Sequence, residues 1–176
     1  MSNITTSQTI GPFSHEAWQW AVDATAATAV ALLETTVTTV TISGAIYDGD
    51  GQPINDAQIE AWQPAAADAE AAQVLPGFRR VPSDDAGRFS LCLSQIELPT
   101  MGMPATFITV FARGLVKHQF TAIFLDDDSG LAQSAILQQV PENRRPTLVA
   151  RKTAPGTYHW DIWMQTDKET AFFDYV

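Results

Sequence analysis

Few residues in this chain have the chemistry for a binding or catalytic site, and Arg113 is the most prominent of them. It stands between two runs rich in β-branched and aromatic residues, Met103 to Ala112 and His118 to Leu125. A guanidinium at that junction is a permanent planar cation, suited to a planar anion such as a carboxylate. The competing reading is that Arg113 pairs with a nearby carboxylate, as most charged loop residues stay solvated or paired. The metal-ligating types are scattered. His15, His118 and His159 have no histidine two or four positions away, so each reads as a hydrogen-bonded or surface residue rather than a ligand. Tyr47 and Tyr158 fall in strand-like runs and Tyr175 lies at the terminus. Asp126, Asp127 and Asp128 lack the glycine-punctuated spacing of a calcium loop and read as a solvated turn that closes a strand. Cys92, flanked by Leu91 and Leu93, reads as a small buried hydrophobe.

The 176 residues suffice for one domain with a sizeable core, and one domain spanning 1–176, with residues 1–13 as an N-terminal arm, is expected. A formal charge of −10 with no Lys/Arg cluster argues against nucleic acid or an anionic membrane as the main partner. The start has neither a basic stretch nor an apolar core of the kind a signal peptide needs. The apolar run from Ala24 to Leu33 is about half of the roughly 20 residues a membrane span requires. With one cysteine, no internal disulfide can form, which suits a reducing cytoplasm.

The elements that must position these residues are mostly strands. Ser14 to about Asp23 permits a short helix capped by Ser14. From Thr36 the pattern has period two, with Val40, Ile42, Gly44 and Ile46 on one side. Asp48 to Pro53 reads as a hairpin connection to a strand over Ala57 to Trp62, and residues 64 to 76 as a surface excursion. Asp84 to Gly87 is a second tight turn, leading into a strand in which Phe89, Leu91 and Leu93 share a face. The two runs around Arg113 read as neighbouring strands. Gly130 to Val140 reads as a loop with one helical turn, followed by strands at Thr147 to Lys152 and Thr157 to Gln165 about a Pro155-Gly156 turn. Short alternating strands with turns every ten residues or so predict an all-β sandwich with a short helical N-terminal segment.

The segment from Val40 to Gln63, followed by Asp85-Ala-Gly-Arg-Phe89, resembles the opening of intradiol ring-cleaving dioxygenases, a pattern shared with prealbumin-type β-sandwich modules. Further motifs lie in the family's order: Ser7 to Phe13, Phe111-Ala-Arg-Gly114, Phe124-Leu-Asp-Asp127, Arg144 to Lys152 and Glu169 to Asp174. Together they are similar to the α chain of the family's αβ members. The resemblance implies a β-sandwich of intradiol-dioxygenase or prealbumin-like type. It also implies a non-haem Fe(III) held by two tyrosinates and two histidines, hard ligands that favour the ferric state. Aligned on Phe111, the family's His-x-His pair falls on Ala105 and Phe107. Its first tyrosine falls on Glu70, and Ile96 to Met103, expected to supply the second, has no tyrosine.

The resemblance therefore implies a subunit that holds no metal and whose iron belongs to a β-subunit partner. It further implies that Thr9, Gly11, Pro12 and Arg113 border the partner's pocket for a small aromatic substrate, with Phe13 where the family commonly has tyrosine. Gly11 would let backbone approach a ligand and Pro12 would fix the turn. The alternative is a stand-alone β-sandwich binding module without catalysis. A self-sufficient homomeric dioxygenase fails on the missing ligands.

Overall fold

The computed structural model describes residues 39–63, 78–94 and 101–174. Nine strands occupy them: β1 (Thr39–Tyr47), β2 (Gln58–Trp62), β3 (Phe78–Pro82), β4 (Arg88–Ser94), β5 (Thr106–Phe111), β6 (Gln119–Leu125), β7 (Val149–Ala154), β8 (Thr157–His159) and β9 (Ile162–Trp163). Hydrogen bonding runs in the order β3-β2-β5-β6-β7-β8-β1-β4, with β9 beside β1. The step from β6 to β7 is parallel and only two residue pairs long, Phe124 with Val149 and Leu125 with Ala150. At that narrow joint the path folds over on itself. Val40, Ile42, Leu91 and Leu93 from one half and Ile59, Ala61, Ile108 and Val110 from the other form one buried cluster. This is the all-β sandwich expected from the alternation, with two inner faces sharing a core.

The period-two reading holds in the central strands. Val40, Ile42 and Ile46 of β1 are buried, as are Phe89, Leu91 and Leu93 of β4. The two runs around Arg113 are antiparallel neighbours, with Thr106 opposite Ile123 and Val110 opposite Gln119. β6 is buried on both faces, since Ala122 and Phe124 join a second cluster with Leu137, Val140, Leu148 and Ala171. The expected helical turn is α1 (Ala135–Gln138), capped by the Ser134 hydroxyl, which accepts from the Leu137 amide at 3.3 Å.

Four expectations need correction. The Asp48 to Pro53 turn forms, with Asp48 Oδ1 accepting from the amides of Asp50 at 2.9 Å and Gln52 at 2.8 Å, but it does not join paired strands. β1 already pairs β4 on one edge and β8 and β9 on the other, so β2 crosses to the opposite layer and pairs β3 and β5. The expected strand from Thr157 is broken at Trp160 and Asp161, where Asp161 Oδ1 turns back to accept from the Ala45 amide at 2.9 Å. The strand expected at Thr147 begins at Val149, after a 3-10 turn over Arg145–Leu148. Cys92 is only partly buried, because its neighbours Leu91 and Leu93 take the inner face and turn it outward. The Ser14 to Asp23 segment lies outside the described residues.

Candidate functional site

Arg113 sits just beyond the end of β5 in a turn closed by the Leu115 amide, which donates to the Ala112 carbonyl at 3.3 Å. Gly114 occupies the turn with φ of +83°, a conformation that costs a residue bearing a Cβ but not glycine. Across from it, β2 pairs β5 with Gln58 opposite Phe111. Counted two steps back along that antiparallel ladder, Asp56 falls opposite Arg113. The structure places Arg113 Nε 3.2 Å from Asp56 Oδ2.

The two partners differ sharply in environment. The Arg113 side chain is 66% exposed, whereas that of Asp56 is 6% exposed. Asp56 Oδ1 is buried with no hydrogen-bond partner among the described residues. An ion pair with one exposed member adds only about 0–1 kcal/mol to stability. A buried carboxylate stripped of its cation is far more costly. The pair therefore adds little net stability of its own, although loss of Arg113 alone would leave Asp56 as an uncompensated buried charge. Held through Nε, Arg113 has both terminal nitrogens available for a planar anion. The carboxylate pairing weighed for Arg113 is thus present, and it leaves the guanidinium at the surface. Thr9, Gly11, Pro12 and Phe13 lie outside the described residues.

The positions that would carry iron-binding histidines hold a methyl group and a phenyl ring. Ala105 is buried, and Phe107 stacks on Phe120 with ring centres 5.7 Å apart and planes at 16°. Phe107 and Phe120 line an open cleft of about 920 Å³ with Phe173 and Arg144. Neither Ala105 nor Phe107 offers a lone pair to a ferric ion, so these residues do not fit one. The two histidines among the described residues are engaged elsewhere: His118 lies against Phe111 at 5.4 Å, and His159 Nε2 is 3.1 Å from Asp161 Oδ2. Among the described residues no three His, Cys, Asp or Glu side chains converge. Glu70, His15 and residues 96–100 lie outside them.

The aspartate run is more than a solvated turn. Asp126 accepts from the Lys152 amide at 3.1 Å, and Asp128 accepts from the Gly102 amide at 2.6 Å and the Gly130 amide at 2.8 Å. Asp127 accepts from the Tyr158 hydroxyl at 2.9 Å and pairs with Lys152 Nζ at 2.6 Å. The Lys152 ammonium holds the Asp127 carboxyl below its ordinary range, and Asp127 in turn raises Lys152. Burial, then the bond to Asp127, pushes the Tyr158 phenol up. Together the three carboxylates tie the end of β6 to β7, β8 and the loops at Gly102 and Gly130.

Aromatic residues near the C-terminal end are also largely absorbed by the fold. Tyr158 and Trp160 are buried, with Trp160 Nε1 donating to the Thr147 carbonyl at 2.8 Å. Trp163 stacks on Tyr47 at 4.5 Å and is covered by Lys168. Asp56 was not singled out from the sequence, since its place opposite Arg113 follows from the pairing of β2 with β5, which the expected hairpin with β1 did not provide.

No family model matches the chain. It is 33% identical to the protocatechuate 3,4-dioxygenase alpha chain of Burkholderia cepacia, over 77% of this chain and 76% of that one. To the alpha chain of the same name from Pseudomonas putida it is 30% identical, again over 77% and 76%. Among solved structures, it resembles the dioxygenase domain of a dioxygenase carbohydrate-binding protein fusion from Streptomyces sp. SirexAA-E. The TM-score is 0.55 at 16% identity, over 78% of this chain and 84% of that one. Hydroxyquinol 1,2-dioxygenase from Pseudomonas putida DLL-E4 gives 0.51 at 17% identity, over 73% of this chain and 57% of that one. At such identities the structural matches speak to the fold, and the two sequence relatives carry the assignment. The chain belongs to the protocatechuate 3,4-dioxygenase alpha-chain family and has the β-sandwich fold of intradiol dioxygenases.

Proposed function

We infer that this chain is the alpha subunit of an αβ protocatechuate 3,4-dioxygenase. The assembled enzyme inserts both atoms of O₂ into 3,4-dihydroxybenzoate and cleaves between the hydroxyl-bearing carbons to give 3-carboxy-cis,cis-muconate. The observation that carries this reading is the similarity to two alpha chains over three quarters of the sequence. In this reading Fe(III) belongs to the beta subunit, where it would make a bound catecholate reactive toward O₂. The methyl and phenyl groups of Ala105 and Phe107 support assigning the metal to that partner.

This chain contributes walls to the partner's pocket. Arg113 offers an exposed planar cation to the anionic aromatic substrate. Gly11 and Pro12 let the N-terminal segment approach the ligand as backbone, Thr9 brings a hydroxyl, and Phe13 brings a ring without the hydrogen bond a tyrosine could make. The single domain works in the cytoplasm, a reading supported by its lone, partly exposed Cys92. The stand-alone binding module is disfavoured because the two alpha chains named above are enzyme subunits by name.

Reconstitution tests the reading. Oxygen uptake with 3,4-dihydroxybenzoate is measured for this chain alone, for the iron-bearing chain from the same cells, and for the co-expressed pair. Full activity only in the pair is expected. Equal activity of the iron-bearing chain without this one would overturn the assignment of pocket walls to it.

A further inference from the structure

We propose that Asp56 is the positioning residue for Arg113. The inference rests on the reading that Arg113 borders the partner's substrate pocket, and adds what aims it there. Arg113 is long, rotamer-rich and 66% exposed, so in the absence of an anchor its charge would sweep a wide arc. The anchor is supplied from a rigid element. Asp56 is the second residue before β2, its side chain is 94% buried by its 6% exposure, and Oδ2 takes the Nε edge of the guanidinium at 3.2 Å. The neighbouring backbone is fixed too, because the Ala57 amide donates to the buried Ser83 hydroxyl at 3.0 Å.

The Nε contact matters for what remains. A guanidinium gripped through its terminal nitrogens would have its fork consumed; gripped at Nε, it keeps both for a substrate. The turn restricts the other end of the side chain, since Gly114 at φ +83° and the bond from Leu115 to Ala112 set the Cα of Arg113. Anchored at both ends, the cation is preorganised before substrate arrives, and the cost of ordering it is met during folding rather than binding. The burial asymmetry points the same way. Pairing with a mostly exposed arginine is a poor route to stability for a carboxylate so thoroughly removed from water.

The test uses the assembled αβ enzyme with 3,4-dihydroxybenzoate and four variants: Arg113→Ala, Arg113→Lys, Asp56→Asn and the double variant Asp56→Asn/Arg113→Ala. Arg113→Ala is expected to lower kcat/KM about ten- to hundredfold, the range for charge-assisted hydrogen bonds. Asp56→Asn is expected to lower it about two- to fivefold, mostly through KM, the range for ordering by a partly exposed ion pair. The double variant should be no worse than Arg113→Ala. A full effect of Asp56→Asn in the Arg113→Ala background would mean that it acts through the fold, and would overturn the proposal. So would wild-type kinetics of Asp56→Asn beside an impaired Arg113→Ala, an outcome that leaves the pocket reading standing. Wild-type kinetics of Arg113→Ala would remove the pocket reading and this inference together. Should Asp56→Asn fail to assemble, Arg113→Lys decides. A lysine ammonium is a single point charge, which cannot rest against Asp56 at one nitrogen and present a planar pair of donors from two others, so it is expected to be nearly as poor as alanine, and wild-type kcat/KM would overturn the proposal.

Discussion

Gly44 of β1 lies so close to Trp160 that a Cβ there would collide with the Trp160 carbonyl oxygen. The approach is built by the Trp160 amide, which donates to the Ser43 carbonyl at 2.9 Å and holds the break between β8 and β9 against β1. Here a glycine is needed for space. At Gly114 a Cβ would meet nothing within 4 Å, and only the positive φ is at stake.

The two glycines should therefore respond differently to one added methyl group. Gly44→Ala must displace backbone, at a cost of about 3 kcal/mol or more, the upper range for overpacking. Gly114→Ala should cost about 1–2 kcal/mol, the strain of a left-handed residue. Thermal melts of the assembled protein check this; equal destabilisation by both would contradict the close approach at Trp160.

The Asp127, Lys152 and Tyr158 cluster sets a pH dependence with two limbs. Asp127 has a depressed pKa in the folded chain, so its contribution is present above the ordinary carboxylate range and is lost as pH falls through the folded value. Tyr158 is raised, so its contribution is present below about pH 10, the ordinary tyrosine value, and is lost as pH climbs through the folded value. Asp127→Ala should remove about 1 kcal/mol at neutral pH, below the usual range for a charged hydrogen bond because the side chain is 42% exposed. Denaturant titrations across pH should show a shallower acid limb in that variant. An unchanged acid limb would argue against Asp127 as its source.

The N-terminal segment belongs to the pocket in this reading and not to the sandwich core. Removal of residues 2–12 is expected to lower kcat/KM by at least about tenfold, the loss of one charge-assisted or oriented contact. The melting temperature of the chain should move little. Unfolding of the truncated chain would reassign the segment to the fold.

Much of the sandwich was legible because period-two alternation reports directly on burial. Val40, Ile42, Phe89, Leu91 and Leu93 could be read as inward from their spacing alone. Topology was less legible. The chemistry of Asp48 to Pro53 and Asp84 to Gly87 specifies a reversal of the chain, but which sheet receives the next strand depends on the edges β1 has left, a property of the whole fold. Trp160 and Asp161 misled for a similar reason, since a distant amide, that of Ala45, interrupts a good local strand pattern. At the candidate site, Arg113 stands out in the sequence by type and motif, and its place in the partner's pocket is the proposal. Asp56 was not, because its importance comes from a register between strands about fifty residues apart in sequence, and an isolated Asp before a strand carries no mark of it.

In the proposed reading this chain is the iron-free half of an iron enzyme. Native mass spectrometry of the complex purified gently from its own cells, with metal analysis on the same sample, tests it most directly. Equal numbers of this chain and a larger chain, with iron in proportion to the larger one, is the expected result. An iron-free monomer without a partner, or iron retained by this chain after separation, would contradict it.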